Sequence, residues 1–115
     1  MKIPEIKSFI VKTLDQNKAQ DIITIDLKKK TYIADYMIIA SGTSSRHIQS
    51  LSEILYSELK RKGIDNCKIE GRDSPDWKLV DAFDVIVHIF HPEKRNFYDL
   101  EKMWQEQIPK EKAMI

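Results

Sequence analysis

The chain is poor in the features that announce a specialised class. Its 115 residues hold one cysteine, Cys67, which can form neither an internal disulfide nor a cysteine-based zinc site, so a reducing compartment is the simpler expectation. No apolar run is long enough to span a bilayer, and Met1-Lys2-Ile3-Pro4-Glu5 lacks the apolar stretch of a signal peptide. A cytoplasmic protein without membrane association is expected. An excess of one charge is missing too: nineteen Lys and Arg stand against eighteen Asp and Glu. That near balance removes the basic footprint of a protein that holds nucleic acid mainly through phosphates, so little direct nucleic-acid binding is expected. A partner would be read by shape rather than by bulk charge. Three histidines, His47, His88 and His91, have no metal-ligand spacing, and neither a metal nor a cofactor is expected.

What is present is periodic. Ile3, Ile6, Ile10 and Leu14, with Phe9 and Thr13 beside them, lie at helical spacing, and Pro4 suits the first turn of that helix. From Asp21 to Leu27 the period changes to two, with Ile23, Ile25 and Leu27 facing one way and Ile22, Thr24 and Asp26 the other. Lys28-Lys29-Lys30 then reads as a solvated turn. Tyr36 to Ala40 is a short apolar run of strand formers, covered on both faces. Ile48, Leu51, Leu55 and Leu59 form the stripe of a long helix that Gly63 ends, just after Lys60, Arg61 and Lys62. A helix between two strands of one sheet implies a right-handed crossover, which makes Lys68–Glu70 the expected parallel partner of the Tyr36–Ala40 strand. Trp77–Asp81 should return antiparallel. Val85 to Phe90 is apolar on both faces and should be central. His91-Pro92-Glu93 opens a last helix with Phe97, Leu100 and Trp104 as its stripe and Tyr98 off it. Residues 108–115 show no period and read as a loosely held tail to a single domain over 1–107. The expected class is α+β: a two-layer α/β sandwich with a five-stranded mixed sheet.

Three constellations bear on chemistry. The junction Ser41-Gly42-Thr43-Ser44-Ser45-Arg46-His47 joins a buried strand to a helix, and there Gly42, Ser44, Arg46 and His47 would either cap the helix or hold an anion. Nucleotidyl transfer is the serious enzymatic alternative, but it needs acids alternating on one strand face to hold magnesium. Asp21 and Asp26 fall on opposite faces, and Asp81 and Asp84 flank a turn. Surface aromatics point elsewhere: Trp77 opens a strand beside a polar turn, and Tyr98 lies off its helix's buried stripe. Aromatic anchors near carboxylates dominate protein interfaces, although both rings would equally serve as partly buried core.

A resemblance covers most of the chain. Asp35-Tyr36, Ile39-Ala40-Ser41-Gly42-Thr43-Ser44 and Arg46-His47 resemble the signature of the Iojap family, the ribosomal silencing factors. Glu70-Gly71 with Trp77, Asp84-Val85-Ile86-Val87-His88-Ile89-Phe90, and Arg95-Asn96-Phe97-Tyr98-Asp99-Leu100-Glu101 with Trp104 fit the same family in order. The resemblance implies a nucleotidyltransferase-like fold without enzymatic activity. It implies binding to the large ribosomal subunit through the fourteenth large-subunit protein, which prevents the small subunit from joining and represses translation. It places the partner-binding residues at Trp77, at the acidic Glu70 and Asp81 around it, and at Tyr98 and Glu101. An exposed aromatic patch is also compatible with a homodimer that opens to bind. One departure is Asp81-Ala82-Phe83-Asp84, where the family commonly has a glycine before the last aspartate. Alanine and phenylalanine suit a tight primed turn poorly, so a longer loop or a bulge is expected there.

Overall fold

The computed structural model describes residues 2–29 and 32–93, and it turns the first apolar stripe into helix α1, Ile3–Gln16. Pro4 sits in the first turn, where its missing N–H breaks no helical bond. Ile6, Ile10, Thr13 and Leu14 are the buried side, with Ile3 and Phe9 at its margin. Strand β1, Gln20–Asp26, is followed by β2, Tyr36–Ser41, in which all six residues are buried. Helix α2, Ser45–Arg61, buries Ile48, Leu51, Leu55 and Leu59. Gly63, at φ +88, lets the chain reverse while Ile64 N–H returns to the Leu59 carbonyl, so the helix ends as its sequence requires. Strands β3 (Lys68–Glu70), β4 (Trp77–Asp81) and β5 (Val85–Phe90) complete the described elements.

The strands form one mixed five-stranded sheet in the order β1-β2-β5-β4-β3. Only β2 and β5 pair in parallel; the other neighbours are antiparallel. The α+β class and the central position of β5 are as expected, but the parallel neighbour of β2 is not β3. β5 takes that place because it is apolar on both faces, whereas a three-residue strand bearing Lys68 and Glu70 suits an edge. β3 still runs in the direction of β2, with β5 and β4 between them.

The β4–β5 connection also departs from expectation, since no longer loop forms. Ala82 N–H donates to the Val85 carbonyl at 2.9 Å, and Phe83 alone absorbs the reversal at φ +71. A left-handed aromatic residue costs about 1–2 kcal/mol. The Asp81 carboxylate offsets part of this by accepting the Phe83 N–H at 2.8 Å. Phe83 itself stands 66% exposed.

Both described helices pack on one face of the sheet, against Tyr36, Ile38, Ala40, Val80, Val85, Val87 and Ile89. The opposite face carries a second buried cluster: Ile25, Leu27, Met37, Ile39, Leu79, Ile86 and Phe90, with Trp77 at its margin. The expected last helix, its Tyr98, Glu101 and Trp104, and the 108–115 tail lie outside the described residues.

Candidate functional site

Two junctions meet at the end of the sheet where β2 and β5 finish and β4 starts. In the first, between β2 and α2, the polar groups are turned inward. Ser44 is the N-cap, its hydroxyl accepting the His47 N–H at 3.1 Å. His47 Nδ1 accepts the Thr43 N–H at 2.9 Å, and Nε2 lies 3.0 Å from the Asn17 carbonyl. The Nδ1 acceptor fixes the proton on Nε2, which therefore donates to Asn17. Gly42 is needed for close approach: a Cβ there would stand 2.7 Å from Ile48 Cγ1. Of the four residues that sequence put forward for an anion, Ser44 and His47 are thus engaged in capping, Gly42 in packing, and Arg46 is exposed. Arg46 lines an open cleft of about 740 Å³ with Ser45, Gln49, Glu53, Arg72 and Asp73, a lining of mixed charge.

The second junction, from β3 into β4, is built around Trp77. Gly71, at φ +79, passes directly beneath the indole; a Cβ there would meet Trp77 Cε3 at 2.7 Å and the Trp77 carbonyl at 2.9 Å. The loop 71–76 is tied down from behind by Lys78. Its side chain is buried, and its ammonium donates to the carbonyls of Gly71 (2.7 Å), Arg72 (2.9 Å) and Ser74 (2.6 Å). A buried ammonium needs such oxygens, and three of them turn a polar loop into a fixed wall.

Trp77 is half-buried, and its Nε1–H donates to His88 Nδ1 at 3.0 Å. The rings stack at 6.1 Å, and His88 stacks in turn on Phe90 at 5.7 Å with planes 5° apart. Indole can only donate, so Nδ1 must be unprotonated and the imidazole proton must sit on Nε2. His88 is 3% exposed, and among the described residues its Nε2 has no hydrogen-bond partner. An orphaned buried donor costs about 1–3 kcal/mol. Burial among apolar neighbours lowers the His88 pKa to about 4, which keeps the ring neutral.

Glu70 lies across from Leu79, and Trp77, Leu79 and Asp81 alternate along β4, so Glu70, Trp77 and Asp81 share the face of the sheet opposite the helices. Asp81 sits at the far end of β4 from Trp77, roughly 13 Å along a strand of this length, and one of its oxygens is used by Phe83 N–H. Tyr98 and Glu101 fall outside the described residues. Cys67 is buried, its thiol donating to the Ile64 carbonyl and its pKa pushed up by desolvation, as for a structural cysteine. Among the described residues no three His, Cys, Asp or Glu side chains converge as metal ligands, and no helix is long and apolar enough to cross a membrane.

The sequence profile of the family described as "Ribosomal silencing factor during starvation" matches residues 1–114. The chain belongs to the RsfS family. A ribosomal silencing factor RsfS from Zymomonas mobilis is 46% identical over 83% of this chain and 71% of its own length. The Chromobacterium violaceum RsfS is 39% identical over 95% of this chain and 89% of its own. The crystal structure of a C. violaceum protein superposes with a TM-score of 0.88 at 39% identity, covering 96% of this chain and 92% of that one. A mouse relative, 39% identical over 83% of this chain and 43% of its own length, is named mitochondrial assembly of ribosomal large subunit protein 1.

Within this RsfS-family fold, sequence reasoning missed three residues that set Trp77: Gly71, Lys78 and His88. Lys78 had a signal, a lysine at a core-facing position of an apolar strand. His88 reads from its pattern as a satisfied core histidine, and among the described residues only one of its two nitrogens has a partner.

Proposed function

We propose that the protein binds the large ribosomal subunit through the fourteenth large-subunit protein and, by occupying that surface, blocks the small subunit from joining. The observation that carries this reading is the presentation of Trp77: a partly buried residue that keeps some of its surface exposed, held by His88 on one side and Gly71 beneath, on the same face as Glu70 and Asp81. Fixed aromatic rings lose little freedom on docking and are the usual anchors of interfaces. Glu70 and Asp81 add carboxylates to that face, with Lys68 across from Asp81, so a partner would meet mixed charge around the ring. RsfS relatives named as silencing factors, and a mouse relative named for large-subunit assembly, support the ribosomal direction. Repression by occlusion requires no chemistry, so the protein acts without turnover and without a cofactor. A cytoplasmic location follows from this reading for a bacterial cell. Tyr98 and Glu101 belong to the same proposed surface by family resemblance.

The test is sedimentation with purified ribosomal subunits, followed by a subunit-joining assay. The protein should pellet with free large subunits, not with small ones, and should lower the yield of joined ribosomes. Equal binding to joined ribosomes, or to neither subunit, would contradict it. A nucleotide-binding reading of the Arg46 cleft predicts saturable uptake of labelled ribonucleoside triphosphate instead.

A further inference from the structure

Among the buried titratable groups of the described sheet, His88 is the one left with an unpartnered nitrogen, and its placement has a consequence for Trp77. On the face opposite the helices it has Ile39 of β2 and Leu79 of β4 as cross-strand neighbours, with Trp77 and Phe90 stacked against its ring. All are apolar or aromatic, and none carries a charge. A residue kept there only for packing would be better apolar, because the Nε2 donor is buried without a partner among the described residues. The nitrogen that is partnered faces the indole of Trp77 at 3.0 Å, the one contact of His88 that a phenylalanine or leucine could not supply.

We infer that His88 is the positioning residue of the Trp77 anchor: as the neutral Nε2–H tautomer it accepts the indole N–H and fixes the ring in its docking orientation. The inference rests on the proposed reading that Trp77 docks the ribosome, and it adds a residue that the family resemblance does not place in the interface. Gly71 bounds the indole from below and Lys78 fixes the loop that carries Gly71, so the steric support is itself held in place. The rotation of the ring about its own bond is set by the hydrogen bond, and that depends on which nitrogen of His88 holds the proton. Stability is given up at Nε2 so that orientation is gained at Nδ1.

This separates His88 from an ordinary core residue. His88→Phe removes both the acceptor and the orphaned donor, so the fold should melt at an unchanged or higher temperature while affinity for purified large ribosomal subunits falls about tenfold. His88→Gln, which keeps an acceptor, should recover part of that loss. In a Trp77→Ala background His88→Phe should have no further effect on binding, because the residue acts only through the indole. Nitrogen-15 NMR of the imidazole tests the geometry without ribosomes: Nδ1 should show the shift of an unprotonated nitrogen and Nε2 that of a protonated one at neutral pH. The opposite tautomer would overturn the inference, as would full binding by His88→Phe, additive losses in the double variant, or stability and binding falling together in both single variants. If Trp77→Ala itself binds normally, the docking reading fails, and the tautomer measurement still decides whether His88 orients the indole.

Discussion

The two junctions at this end of the sheet use polar residues in opposite ways. Between β2 and α2, Ser44 and His47 close their hydrogen bonds on the chain's own backbone, as the start of a helix requires. Between β3 and β4, a buried ammonium, a left-handed glycine and a histidine with one nitrogen unpartnered among the described residues are assembled around an aromatic ring that remains partly exposed. The first arrangement is what stability alone selects. The second costs stability at His88 Nε2 and gains the fixed orientation of one side chain, which is the pattern expected where a surface has to be recognised.

The contrast can be sharpened by removing one group at a time. The largest stability loss should come from Lys78→Met, which keeps the length of the side chain but leaves three loop carbonyls without their ammonium. About 3 kcal/mol is expected from denaturant unfolding, since hydrogen bonds to a charged group are among the stronger ones. Limited proteolysis should then cut within 71–76. Next is the pH dependence that His88 imposes. An unfolded imidazole titrates near 6.5 and the folded one has been lowered to about 4, so its contribution is complete above roughly pH 6.5 and is lost as pH falls toward 4. Between pH 7 and pH 5 this term should remove about 2 kcal/mol from the wild type and nothing from His88→Phe. Urea unfolding of both proteins at both pH values gives the difference directly. The smallest effect belongs to the closed junction: Ser44→Ala removes one cap and should cost about 1 kcal/mol, with no change in ribosome binding. A loss of binding there would mean that the β2–α2 turn is more than a helix start.

How much of this was readable in the sequence follows the range of the interactions. The helical stripes of α1 and α2, the alternation of β1, the full burial of β2 and β5 and the glycine stop at Gly63 all rest on local spacing, and each appears where spacing puts it. The pairing of β2 with β5 did not, because a crossover rule fixes the direction of the next strand but not its neighbour. Phe83 at φ +71 was not legible either; it depends on an Asp81 carboxylate that happens to reach its N–H. At the candidate site, Trp77 was visible as an aromatic beside a polar turn. The shell that fixes it was not, since Gly71, Lys78 and His88 meet the indole or its loop only once β3, β4 and β5 are side by side. Conversely, sequence offers Gly42, Ser44, Arg46 and His47 for an anion without showing that Ile48 packs on Gly42, that Ser44 caps the His47 N–H, or that the His47 ring bonds to Thr43 and Asn17.

The claim that docking runs through the Trp77 face rather than the Arg46 cleft is tested most directly by co-sedimentation of two variants with purified large ribosomal subunits, each first shown by circular dichroism to be folded. Trp77→Ala should lose about thirtyfold in affinity, the effect typical of truncating an aromatic hot spot, while Arg46→Ala should bind like the wild type. Wild-type binding by Trp77→Ala together with a loss in Arg46→Ala would contradict it and move the interface to the α2 cleft.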